Sequence, residues 1–156
     1  MKLKEYIKKI MAHRHFQKYE KYASLVIWVG IIYYLSSQGL EFIGPASIWE
    51  FIMRKIFHMF EYAILALLIF RILRQTEKRH IYWDIGWTLI FTILYAISDE
   101  YHQTFTLGRV GTYRDVMIDS FGALVAIWLL YLDYHHRKIM ESKNIPSQIA
   151  KIIKKG

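Results

Sequence analysis

Four long apolar runs constrain this chain more than any other feature: residues 23–40, 56–73, 81–97 and 116–132. Each is close to the roughly 17–25 residues that a helix needs to cross a hydrocarbon core about 30 Å thick. In lipid every backbone polar group must be bonded internally, so such segments cross as α-helices. A soluble four-helix bundle would show one polar stripe on each helix, which these runs mostly lack. The chain is therefore read as all-α, a four-transmembrane-helix antiparallel bundle.

Aromatic residues make up 17% of the chain, and many sit toward the ends of the runs, among them Trp28, Tyr34, Tyr82, Trp83, Trp128 and Tyr131. Rings with an apolar body and a polar tip favour the headgroup layer. No cysteine is present, which excludes disulfides and thiolate chemistry. The first apolar run follows about twenty basic and polar residues without a convincing cleavage site, so it is expected to remain as the first span.

Lys and Arg fix the expected orientation, because positive loops are retained in the cytoplasm. Seventeen of them lie before the first run, between the second and third with Arg71 at the edge of the second, or after the fourth. Four, Arg54, Lys55, Arg109 and Arg114, lie on the other side. Both termini and the loop at 71–80 are thus expected in the cytoplasm of a multi-pass membrane protein. The net charge of +8 reads as topology and as attraction to anionic lipid at the cytoplasmic face. A nucleic-acid partner is not expected, since the basic residues are split among three segments beside spans.

Three parts follow along one domain: a cytoplasmic amphipathic segment at 1–22, the four-helix membrane domain at 23–132 and a basic cytoplasmic tail at 133–156. In the first, Leu3, Tyr6, Ile7, Ile10 and Met11 fall at i, i+3, i+4, i+7 and i+8 among lysines, the pattern of a helix lying on the inner leaflet. Recognition of a partner protein is the competing reading of both ends. The first two connections are short enough for antiparallel neighbours. The third, within 98–115, is polar and longer than a minimal turn, and such loops are often functional.

Polar residues inside the runs are the candidate chemistry. Lys55, His58 and Glu61 are spaced i, i+3, i+6 and form one stripe descending into the membrane. A carboxylate as deep as Glu61 costs about 2.5–3.5 kcal/mol on insertion scales, so it should face the bundle and find a partner. The stripe is either a pair that only fixes packing or a site lining an outward cavity. Asp99 and Gln103 share a face of the third helix, with Glu100 a quarter turn away. They read as a metal or proton site, or as a solvated helix end. Thr112-Tyr113-Arg114-Asp115 matches a helix-capping pattern, which would explain Asp115 but leaves Asp119, one turn on, unexplained. Arg109 or Arg114 is the expected counter-ion of Asp119. Gly122 and Ala126 form a small-residue face for close helix approach. Histidine spacing gives no helical zinc motif, and there is no phosphate-binding glycine loop or nucleophile elbow.

The order of these residues resembles the VanZ-like family of small bacterial membrane proteins. The resemblance rests on Lys55-x2-His58-x2-Glu61-Tyr62, then Ser98-Asp99-Glu100-x2-Gln103-x-Phe105-x3-Arg109, then Arg114-Asp115-Val116-x2-Asp119-x2-Gly122. Tyr34-x-Ser36-Ser37-Gln38 at the end of the first span is similar as well, and the match covers about residues 25–132. It implies a link to lowered sensitivity to teicoplanin and other glycopeptide or lipoglycopeptide antibiotics, with no established reaction. By similarity the ligand-binding candidates are Lys55, His58, Glu61, Asp99, Glu100, Gln103, Arg109, Arg114, Asp115 and Asp119.

Two functions compete. The first is a non-enzymatic protein whose outer polar pocket binds a cell-envelope ligand, either a glycopeptide or a cell-wall lipid precursor. The second is an enzyme on an envelope-lipid headgroup, with His58, Glu61, Asp99 and Glu100 as catalytic candidates, a divalent cation on Asp99, Asp115 and Asp119, and Arg109 gripping a phosphate. Beyond that cation the sequence leaves the cofactor unknown. A transporter ranks third, since four spans without repeats would need a homo-oligomer to form a pathway.

Overall fold

The computed structural model describes the backbone of residues 2–38, 48–74, 80–109 and 111–153, and side chains within 19–49 and 51–140 of that range. Among the described residues there are four α-helices and no strand: α1 (Lys2–Ser36), α2 (Ile48–Leu73), α3 (Ile81–Gln103) and α4 (Tyr113–Ile153). Three segments, Phe51–Leu73, Ile81–Gln103 and Tyr113–Met140, are long and apolar enough to cross a membrane. Residues 23–36 of the first expected run and the whole of the other three fall on helices, although two boundaries differ. Helix α1 continues unbroken through the boundary expected at residue 22. The side chains on which its amphipathic reading depends lie outside the described residues. Helix α4 likewise runs on through Pro146, so the expected tail begins as helix.

Burial follows the logic of lipid rather than of water. Large apolar side chains such as Phe57, Phe60, Leu94, Trp128 and Leu129 are exposed on the outside, whereas Ser36, Thr88, Thr92, Asp99 and Asp119 are buried. Helix α3 does carry a polar stripe, but it is turned inward. Ile81, Asp84, Thr88, Thr92, Ala96, Asp99 and Gln103, three or four residues apart, make its buried face. Thr88 and Thr92 donate their hydroxyls to the carbonyls of Asp84 and Thr88, at 2.7 and 2.8 Å, and so need no partner from a neighbouring helix.

Helices α2 and α4 share the most extensive interface, and Gly122 is the reason they come so close. A Cβ at Gly122 would lie 2.2 Å from the Met59 carbonyl oxygen, so only glycine lets the two backbones meet there. Ala126, one turn on, is also buried, which bears out the small-residue face. Helix α1 packs on α2 and, less, on α3, with Ile32, Tyr62, Leu65 and Ala96 at the core of that contact. Of the described residues between α3 and α4, Gly108 lies in the left-handed region at φ 77°.

Candidate functional site

The polar residues gather at the end of the bundle where α1 and α3 finish and α2 and α4 begin. Asp99, on the last turns of α3, is 3% exposed. Its Oδ2 accepts from the Ser36 hydroxyl at 2.8 Å, the Tyr62 hydroxyl at 3.1 Å and the Gln103 amide at 3.0 Å. One carboxylate oxygen thereby joins α1, α2 and α3. Three donors satisfy it without water, which is how a buried acid is tolerated.

Gln103 passes the network outward. Its amide oxygen accepts from Arg109 Nη1 at 3.1 Å, and Arg109 Nη2 reaches the Leu35 carbonyl at 3.4 Å. That carbonyl lies at the C-terminal end of α1, where it also accepts from the Gln38 N–H at 3.3 Å and where a cation is favoured by the helix dipole. Arg109 Nε is buried with no hydrogen-bond partner. Arg109 is therefore not the counter-ion of Asp119, and Arg114 is exposed on α4 away from the cluster.

The start of α4 is fixed from two sides. The Thr112 hydroxyl accepts from the Asp115 N–H at 3.3 Å, which is half of the expected capping box. The Asp115 carboxylate is not used for capping and pairs with Lys55 of α2. The Thr112 N–H donates to Glu100 Oε2 at 2.9 Å, so Glu100 is turned inward and buried although its face differs from that of Asp99. Between them, Gly111 passes so close to the Glu100 carbonyl that a Cβ would lie 2.3 Å from it.

His58 is the centre of the remaining group. Its Nδ1 is 3.6 Å from Glu61 Oε2 and 3.8 Å from Asp119 Oδ1, beyond hydrogen-bond reach of both. Asp119 is 1% exposed, and neither its Oδ2 nor His58 Nδ1 has a hydrogen-bond partner. Glu61 is tied to α1 through its backbone carbonyl, which accepts from Trp28 Nε1 at 3.0 Å. His58 also lines a cavity of about 160 Å³ together with Phe51, Arg54, Lys55, Glu100, Gln103, Gly108, Arg109 and Asp115.

Nine of the ten expected residues thus meet at one end of the bundle; Arg114 does not join them. Among the described residues no three His, Cys, Asp or Glu side chains gather to hold a metal ion. Asp99 is closed by its three donors and Asp115 by Lys55, so the cation set Asp99, Asp115 and Asp119 is not assembled. The candidate list missed Arg54, Phe51 and Gly108 in the cavity wall. It also missed His102, whose Nε2 is 3.0 Å from the Ser37 hydroxyl and whose ring stacks on Tyr33 at 4.5 Å. No spacing signal marks His102, because its partners come from another helix. Ser36 and Tyr62, which the family resemblance did include, turn out to be the donors that hold Asp99.

A protein-family profile described as VanZ/LLP1 matches residues 3–134, so it extends into the N-terminal segment beyond the resemblance seen at 25–132. No curated protein and no solved structure matches the chain.

Proposed function

We propose, from the premise that this chain belongs to the VanZ/LLP1 family, that it is a four-span protein of the bacterial cell envelope whose polar cavity opens outward. The cavity binds the polar headgroup of an envelope ligand and so lowers the action of glycopeptide or lipoglycopeptide antibiotics. Support for the orientation is the seventeen-to-four division of Lys and Arg, which puts the termini and the 71–80 loop inside. The observation that carries the binding reading is a set of buried polar atoms left without hydrogen bonds at one place: His58 Nδ1, Asp119 Oδ2 and Arg109 Nε. Buried polar groups are otherwise almost always satisfied, and a site that awaits a ligand is one reason for an exception. At about 160 Å³ the cavity is smaller than the ~300–1,000 Å³ of pockets for whole drug-sized molecules. It suits one polar group of a larger ligand, the rest lying along the membrane surface.

One feature favours the enzymatic alternative. His58 stands between the cavity and two carboxylates, Glu61 at 3.6 Å and Asp119 at 3.8 Å, near enough for their charge to favour the imidazolium that a general base becomes. Purified protein incubated with lipid-linked cell-wall precursors, with and without divalent cation, separates the readings. Saturable binding without turnover supports the ligand-binding function. Turnover that is lost in His58→Gln replaces it with the enzyme, and neither binding nor turnover, to precursor or glycopeptide, refutes both.

A further inference from the structure

The opposite end of the bundle holds a second cavity that the proposed function does not use. Helix α3 begins there at Ile81 while α4 continues past it, which leaves a notch between the start of α3 and one face of α4. Tyr131, Tyr134, His135 and Lys138 occupy i, i+3, i+4 and i+7 on that face, and His80 and Tyr82 close the notch from the α3 side. The cavity measures about 460 Å³, within the range of pockets that enclose a small molecule.

Its chemistry is one-sided. No carboxylate lines it. Among the described residues the two acids nearby are held elsewhere: Asp84 is buried and bonded to Arg74 at 3.2 Å, and Asp133 is bonded to Arg137 at 2.9 Å. Lys138 makes no ion pair among the described residues. The rings form a continuous wall, with His80 and Tyr82 stacked at 5.0 Å, Tyr82 and Tyr131 at 6.3 Å, and Tyr131 and His135 stacked at 6.1 Å. An ammonium, two imidazoles and phenol hydroxyls, of which Tyr82 and Tyr131 bond each other, offer donors to an anion rich in acceptor oxygens, while the ring faces offer an apolar bed for what is attached to it.

The geometry points to a binding site for a phosphate-bearing ligand between the N-terminal end of α3 and the Tyr131–Lys138 face of α4. Basic pockets between membrane helices are suited to lipid headgroups, and a soluble phosphate compound would present the same group. A plain interfacial belt of rings and cations, by contrast, holds any phospholipid about equally.

The test uses full-length protein in detergent, titrated with short-chain phosphatidylglycerol and phosphatidylcholine and followed by tryptophan fluorescence, with inorganic phosphate as competitor. The site predicts saturable binding of the anionic lipid, about tenfold tighter than the zwitterionic one. It also predicts that Lys138→Gln removes most of that preference, since one charged hydrogen bond is worth about a factor of ten or more. Tyr134→Phe, which keeps the ring, should weaken binding less. Competition by millimolar phosphate would assign the site to a soluble phosphate compound, and lack of competition to the lipid. Equal binding of both lipids without competition by phosphate, or a preference untouched by both Lys138→Gln and His135→Gln in folded protein, overturns the proposal.

Discussion

Replacing Gly122 with alanine adds one methyl group where α2 and α4 touch. The new Cβ would lie 2.2 Å from the Met59 carbonyl oxygen, 2.8 Å from its carbon and 2.9 Å from its Cα, all backbone atoms that no rotamer can move. Ordinary contact begins at 3.4 Å, so the helices must part by about 1.2 Å, the difference between the two distances. Overpacking of this kind costs about 1–3 kcal/mol, and the upper part of that range applies when backbone has to yield. Alanine returns about 0.5–1 kcal/mol through better helix propensity, which leaves a net loss of about 1–2 kcal/mol. Because Met59 adjoins His58 and Gly122 lies three residues beyond Asp119, the same displacement widens the 3.8 Å gap between His58 and Asp119. Gly30→Ala and Gly86→Ala are the controls, since a Cβ at either position meets nothing within 4 Å. Thermal or denaturant unfolding in detergent should show Gly122→Ala destabilised and both controls unchanged or slightly more stable. Gly122→Ala as stable as the wild type would refute the close contact of α2 and α4.

Three further outcomes are expected. Tyr62→Phe keeps the buried ring and removes one donor to Asp99, so unfolding should show a loss of about 1.5–3 kcal/mol. Asp99→Ala strands Ser36, Tyr62 and Gln103 together at about 1–3 kcal/mol for each donor left unsatisfied, so it should be worse than Tyr62→Phe; equal stability would contradict the network. A single cysteine placed at Glu77, in a chain with none of its own, should resist an impermeant thiol reagent in intact cells, and rapid labelling would reverse the orientation.

The apolar runs made the helices legible because span length is a local property of the sequence. The meeting of Lys55, His58, Glu61, Asp99, Gln103, Asp115 and Asp119 was legible too, since antiparallel helices bring the finishing ends of α1 and α3 beside the starts of α2 and α4. Partner choice was not. Asp119 faces His58 rather than an arginine, and Arg109 closes the end of α1, because both depend on the register between helices. Asp84 was not among the candidate residues, although it is fully buried against Arg74. The unbroken course of α1 through residue 22 was also hidden, because a change of composition from basic to apolar need not break a helix.

The most direct measurement is glycopeptide susceptibility of cells expressing the wild type, His58→Gln or Asp119→Asn, normalised to folded protein in the membrane. Asp119→Asn keeps shape while removing a buried charge, a change often near neutral for folding. The wild type should lower susceptibility, and both variants should reach the membrane in normal amount and lose the effect. Full protection by Asp119→Asn would contradict a site built around His58 and this carboxylate.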